Sequence, residues 1–177
     1  MFKSLIDLIS DYETRYDTEC VFIDQFKTLL EHDDAFMRHH LPGHITGSAW
    51  VINPNRSKVL LHHHKKLNKW LQPGGHADGD SNVLQVALRE LEEETGIKNV
   101  KRLVDGIFDL DIHPIPSRPD FPEHLHYDVR FCFEADELEP IVVSDESIEV
   151  KWISFNNLNL FSENESLFRM MEKSVKL

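Results

Sequence analysis

The chain has 177 residues, 41% hydrophobic and 28% charged, with 19 Lys and Arg against 31 Asp and Glu for a net charge of −12. That size and composition suit one globular domain with room for a real core. The acidic balance excludes a nonspecific binder of duplex nucleic acid, which needs basic contacts to phosphates; the absence of an apolar run of about 18 residues or a leader-like start argues against a membrane role, so the cytoplasm is the expected compartment.

Phe2, Leu5, Ile6, Leu8 and Ile9 predict a short amphipathic helix, and Val21, Phe22, Phe26, Leu29 and Leu30 a second. Leu41-Pro42-Gly43 ends that pattern. Residues 1–42 therefore read as a helical extension and 43–177 as the core of a single domain. His44 to Asn53, with Ile45, Ala49, Val51 and Ile52, predicts a strand; Asn53-Pro54-Asn55 is a turn signal, and Val59 to His63 completes a hairpin. Strand alternation sends His62, His63 and His64 to opposite faces in turn, so they cannot all ligate one metal ion from a single strand.

From Gly75 to Ile97 a glycine-rich turn runs into a helix carrying Arg89, Glu90, Glu93 and Glu94. At 3.6 residues per turn the three glutamates span an arc of roughly 100°. Carboxylates held that close repel one another unless a cation sits between them, and oxygen-only ligands favour a hard divalent ion such as magnesium or manganese. Val83, Leu84, Ala87, Leu88 and Leu91 form an apolar stripe that places the glutamates at its margin, while Gln85 and Glu92 face outward. Arg89 can pair with Glu93, four residues on, or brace Glu90. Gly96 closes the helix.

Beyond it, Val104 to Ile112, Tyr127 to Phe133 and Ile148 to Ile153 predict strands. Pro114 to Glu123, with prolines at 114, 116, 119 and 122, predicts a loop flanked by His113, His124 and His126, with Arg118 and Arg130 nearby. His124 and His126 share a strand face. This loop and strand are candidates for substrate selection; Phe121 and Tyr127 either stack on a base or pack in the core. Ser162-x-x-Glu165 reads as a capping box opening a last helix with Leu167, Phe168, Met170 and Met171. Strands interleaved with helices suggest a mixed sheet covered on both faces. Cys20 and Cys132 read as free buried thiols in a reducing compartment.

The pattern resembles the Nudix box. Gly75, Arg89, Glu90, Leu91, Glu93, Glu94, Gly96 and Ile97 match it in order and spacing, with Ser81 standing where the box has its first glutamate. Trp70-Leu71-Gln72-Pro73-Gly74-Gly75-His76 is similar to the strand and turn that lead into the box, and Trp152 to the late-strand tryptophan of many members.

The resemblance implies a Nudix-type α/β/α sandwich and a hydrolase in which water attacks the pyrophosphate of a nucleoside diphosphate linked to another group. It implies Glu90, Glu93 and Glu94 as ligands of Mg2+ or Mn2+, Arg89 orienting the carboxylates, and Gly74, Gly75 and His76 lining the turn, with His76 in reach of a substrate phosphate. Ser81 either caps the helix or supports the ion through water. The catalytic base is expected before Trp152, at Glu146, with Glu149 or Glu93 as alternatives. Two other readings stand beside this one. One is a non-catalytic nucleotide-binding module; the other is a prenyl-diphosphate isomerase, whose protonating cysteine neither Cys20 nor Cys132 matches in setting. The expected partner is a small nucleotide-derived substrate, and the N-terminal helices could support a homodimer.

Overall fold

The computed structural model describes residues 3–119 and 121–177. The elements run α1 Leu5–Ser10, α2 Asp17–Leu29, β1 Gly43–Ile52, β2 Lys58–His64, β3 Lys69–Leu71, β4 Gly74–His76 and α3 Val83–Thr95. They continue with β5 Lys101–Arg102, β6 Asp109–Ile115, β7 His124–Glu134, β8 Ser147–Ser154, a 3-10 turn at Phe155–Leu160, and α4 Glu165–Ser174. Among the described residues no helix is long and apolar enough to cross a membrane.

Strand β1 is the axis of the sheet, buried at every position. Along one edge it pairs in parallel with β7, from Gly43 opposite Leu125 to Ile52 opposite Glu134. Its other edge is divided: β4 pairs antiparallel with Thr46 to Ser48, and β2 with Val51 and Ile52. The sheet forks there, β2 carrying β3 and β8 on one arm, while β7 carries β5 and β6 beyond the opposite edge of β1.

Because side chains alternate along β1, its two faces feed two cores. Ile45, Ala49 and Val51 pack with Val83, Val86, Ala87 and Leu91 of α3 and with Leu5, Ile9, Phe26 and Leu29 of α1 and α2. Trp50 and Ile52 pack with Cys132, Phe108, and Leu167 and Met170 of α4. Each buried Val, Leu, Ile, Phe or Met among them contributes about 1.5–3 kcal/mol. The expected α/β/α layering is therefore present, and the N-terminal helices share the core on the α3 side.

A buried ionic network ties the layers together. Arg130 on β7, 1% exposed, donates to Asp128 (2.7 Å), Asp109 (3.1 Å) and Asp111 (3.0 Å). Arg169 on α4 reaches Asp109 at 2.8 Å, and Lys173 reaches both Asp109 (2.7 Å) and Glu19 of α2 (2.6 Å). Burial pushes the Asp109 and Asp111 carboxyls up, but the surrounding Arg130 and Arg169 charges and hydrogen bonds outweigh it and hold both below the ordinary carboxylate range.

Several local expectations differ from the structure. Phe2, assigned to the first helix, lies outside the described residues. The strand expected from Val104 begins only at Asp109, because Gly106, at φ 121°, turns the chain after the short β5. Pro114 and Ile115 belong to β6 rather than to the loop; among the described residues β6 pairs with β7 alone, and an edge strand tolerates a proline. Asn164, not Ser162, caps α4, its side chain accepting from the Ser166 N–H at 3.0 Å. Cys20 is exposed on α2, whereas Cys132 is buried and its thiol is pushed up to about 12 by burial.

Candidate active site

Helix α3 is set by its ends and its apolar stripe. Asn82, rather than Ser81, is the N-cap, accepting from the Gln85 N–H, and Ser81 is exposed just before it. Gly96, at φ 75°, closes the helix with its N–H on Glu92 O at 2.8 Å. Val86 joins the buried stripe, and Leu84 and Leu88 lie at its half-buried edges. The helix lies directly on β1 at Gly47, where a Cβ would come within 2.8 Å of both Val83 Cγ1 and the Val83 carbonyl oxygen.

The three glutamates occupy three depths, with side chains 62% exposed at Glu93, 16% at Glu90 and 7% at Glu94. A solvated acidic face would leave all three in water. Glu94 Oε2 accepts the Gly74 N–H at 2.9 Å. Burial pushes its carboxyl up to about 8; the Gly74 N–H opposes that shift, and the charges of Glu90, Glu146 and Glu93 add to it. Its Oε1 lies 3.7 Å from His62 Nδ1, but this is no ion pair, because burial holds His62 down at about 4 and neutral. His62 bonds instead with Ser147 Oγ at 2.8 Å. Glu90 is also raised, by burial first and then by Glu93 and Glu146, against the opposing hydrogen bond from Arg89. The Arg89 guanidinium donates to Glu90 at 2.7 Å and to the His76 carbonyl at 3.0 Å, and stands 3.9 Å from Glu93. Of the two pairings open to it, the brace on Glu90 is the close one.

Gly74 to His76 form strand β4 rather than a turn, and Gly75 has ordinary strand geometry. What Gly75 supplies is room: a Cβ there would stand 2.5 Å from the Glu90 carboxyl carbon. Gly74 is equally confined, against the Ser48 hydroxyl. Alternation then sends the His76 ring to the sheet face opposite Glu90, among His44 and His126.

Glu146 stands at the entrance to β8. Its carbonyl accepts the Lys65 N–H at 2.8 Å, and its carboxylate is near enough to raise both Glu90 and Glu94. Glu149 pairs with Lys151 at 2.7 Å. Arg130, grouped by sequence with the loop, is enclosed in the ionic network, and Tyr127 packs edge-on against Phe26 at 5.2 Å. Two features went unread in the sequence. One is the Asp128 carboxylate, which accepts from Thr46, Ser48 and Gln72 beneath β4. The other is the gathering of His44 with His76, His124 and His126.

An open mixed sheet with a glutamate-bearing helix laid on its central strand places the chain in the α/β class. The family model of the NUDIX domain matches residues 43–173, and the chain belongs to that family. It is a pyrophosphohydrolase of the Nudix type. A probable DHNTP pyrophosphohydrolase of Lactococcus lactis subsp. cremoris is 28% identical over 142 residues, 78% of this chain and 82% of that one. A putative 8-oxo-dGTP diphosphatase of Bacillus subtilis is 29% identical over 117 residues, 66% of this chain and 71% of its own. The crystal structure of a C. elegans Ap4A hydrolase binary complex overlays with a TM-score of 0.59 at 15% identity, across 73% of this chain and 93% of that one, a likeness of fold.

Proposed function

We propose that Glu90, Glu93 and Glu94 hold Mg2+ or Mn2+ and that Glu146 accepts the proton of the water that attacks a pyrophosphate phosphorus in a nucleotide-derived substrate. The observation carrying this reading is the confinement of Glu90 and Glu94 against the Gly74–Gly75 backbone. Glu94 is buried and Glu90 half-buried there, both carboxyls are raised, by burial first and then by neighbouring carboxylates, and Arg89 is the cation paired with Glu90. An all-oxygen donor set with unmet negative charge fits a hard divalent cation. When bound, the ion would polarise the phosphoryl oxygens.

The chain's own residues supply the rest. Arg89 fixes Glu90 and ties the helix to β4 through the His76 carbonyl. The Gly74 N–H holds Glu94 Oε2. Glu146, exposed and outside the box helix, is free to take a proton as the phosphorus–oxygen bond to water forms and the anhydride bond breaks, the leaving phosphate taking up the negative charge. The named relatives act on nucleotide or pterin polyphosphates, and a substrate of that breadth is the one proposed here. The isomerase reading loses ground, since Cys132 is enclosed with Trp50 and Ile52 in the core on the α4 side and Cys20 is exposed on α2.

The test is release of phosphate and nucleotide from a panel of nucleoside triphosphates, dinucleoside polyphosphates, nucleotide sugars and ADP-ribose, with magnesium and with manganese. Metal-dependent release lost in Glu93→Gln supports the reading. A protein that binds manganese and nucleotide yet cleaves none of the panel would favour the binding-module alternative.

A further inference from the structure

On the sheet face away from α3, three adjacent strands bring four histidines together. His44 on β1 lies opposite His126 on β7 in the parallel register. His124, two residues before His126, points the same way. His76, at the end of β4, pairs with Thr46, two residues beyond His44. One ligand nitrogen from each of the four lies within 4.8 Å of all the others. The His44 ring is central, its centroid 5.0 Å from that of His124 and 5.1 Å from those of His76 and His126.

We propose that His44, His76, His124 and His126 form an all-nitrogen site for a divalent transition-metal ion of the zinc class, clipping the start of β1 and β7 to the end of β4. This site is separate from the carboxylate site and does not rest on the function proposed above.

Ring packing alone does not account for the nitrogens. His44 is 1% exposed, and its Nε2 is buried with no hydrogen-bond partner; the Nε2 of His126 is in the same condition. An unmet buried polar atom costs about 1–3 kcal/mol. The tautomers are fixed from behind. His44 Nδ1 faces the His40 carbonyl at 3.4 Å and His124 Nδ1 faces the Pro122 carbonyl at 2.9 Å. A carbonyl can only accept, so both Nδ1 atoms carry a hydrogen, and in the neutral ring each Nε2 then presents a lone pair. Metal-ligating histidines are held in this way, by a second partner on the other ring nitrogen.

Burial favours the neutral form that binds metal in three of the four rings, His44, His76 and His126. Burial, then Arg38 and the neighbouring histidines, holds His76 down at about 4, and burial, then the neighbouring histidines, holds His126 down at about 2. The nearby carboxylates are engaged elsewhere, Asp111 with His113 (3.0 Å) and Arg130, and Asp78 with Arg38. With zinc–nitrogen bonds of about 2.0–2.1 Å, tetrahedral ligands stand about 3.4 Å apart, so each nitrogen closes in by less than about 1 Å. Imidazole donors prefer zinc, cobalt, nickel or copper, whereas the oxygen-only glutamate site prefers magnesium or manganese.

The experiment is a Co2+ titration of tag-free full-length protein in excess Mg2+, followed by displacement with Zn2+. One equivalent of cobalt showing the intense visible absorption of a four-coordinate ion is expected, unchanged in Glu93→Gln. Weakening by at least about tenfold is expected in both His44→Gln and His124→Gln, since even loss of an outer partner of a ligand costs that much. Folding of each variant is checked by circular dichroism. If either fails to fold, the wild-type spectrum still decides. A six-coordinate spectrum, no uptake at micromolar metal, or uptake that folded His124→Gln leaves unchanged would each overturn the proposal.

Discussion

The Gly75 backbone passes so close beneath Glu90 that a methyl group on it would stand 2.5 Å from the carboxyl carbon and 2.6 Å from both carboxylate oxygens. Glu90 is thus positioned by the absence of a side chain on a neighbouring strand. Gly75→Ala should displace Glu90 while leaving β4 paired with β1. A catalytic group misplaced by about 1 Å can cost about 10²-fold in rate. A loss of that order in turnover, with thermal unfolding little changed, is the expected result. Unchanged turnover would remove Glu90 from the site.

Glu146→Gln should lower turnover by about 10²–10⁴-fold, the range for loss of a general base, with manganese affinity retained. Glu149, paired with Lys151, is the control, and Glu149→Gln should stay close to wild type. Steady-state kinetics beside manganese titration separates the two. A large loss in Glu149→Gln with none in Glu146→Gln would transfer the base to Glu149.

Glu94 makes metal-free stability depend on pH in a direction opposite to that of most paired acids. Its folded value, about 8, lies above its ordinary 4.5, so the folded state keeps a proton that the unfolded chain has released across that window. The stability Glu94 supplies is therefore full below about pH 4.5 and is lost as pH rises toward 8. Buried His62 runs the other way, losing stability as pH falls from 6.5 toward about 4. Unfolding temperatures measured in EDTA should fall less between about pH 6 and pH 8 in Glu94→Gln than in wild type. Manganese binding near neutral pH should release a proton from Glu94, seen by calorimetry in buffers of different ionisation enthalpy.

Arg130→Leu removes the one guanidinium shared by Asp109, Asp111 and Asp128, leaving Arg169 and Lys173 as the remaining buried cations of the network. Removing one partner of a buried ionic cluster costs about 3–5 kcal/mol. Denaturant unfolding should register a loss of that size. A shift below about 1 kcal/mol would mean that Arg169 and Lys173 carry the network without it.

The box helix was legible because its information is local: the glutamates, the stripe and Gly96 lie within one continuous segment, and helical periodicity arranges them. At position 75 sequence shows a glycine but not the carboxylate that requires it, which comes from a helix folded over it. The histidine cluster and the Arg130 network were hidden for the same reason. His44, His76 and His124 lie in three segments, and they come side by side through the parallel register of β1 with β7 and the antiparallel pairing of β1 with β4. The N-terminal helices were visible from periodicity, but nothing in it signalled that Glu19 would be buried against Lys173 of the last helix.

The pairing of Gly43 with Leu125 has a consequence for synthesis. A ribosome delivers β1, β4 and the whole glutamate helix before any of β7 exists, so the emerging chain carries every box residue while the longest neighbour of its central strand is still missing. Residues so far apart must wait for the late strand before their contacts offset the ordering they require. A stalled chain ending before His124 would expose the bare edge of β1, the surface on which chaperones and premature strand partners would compete.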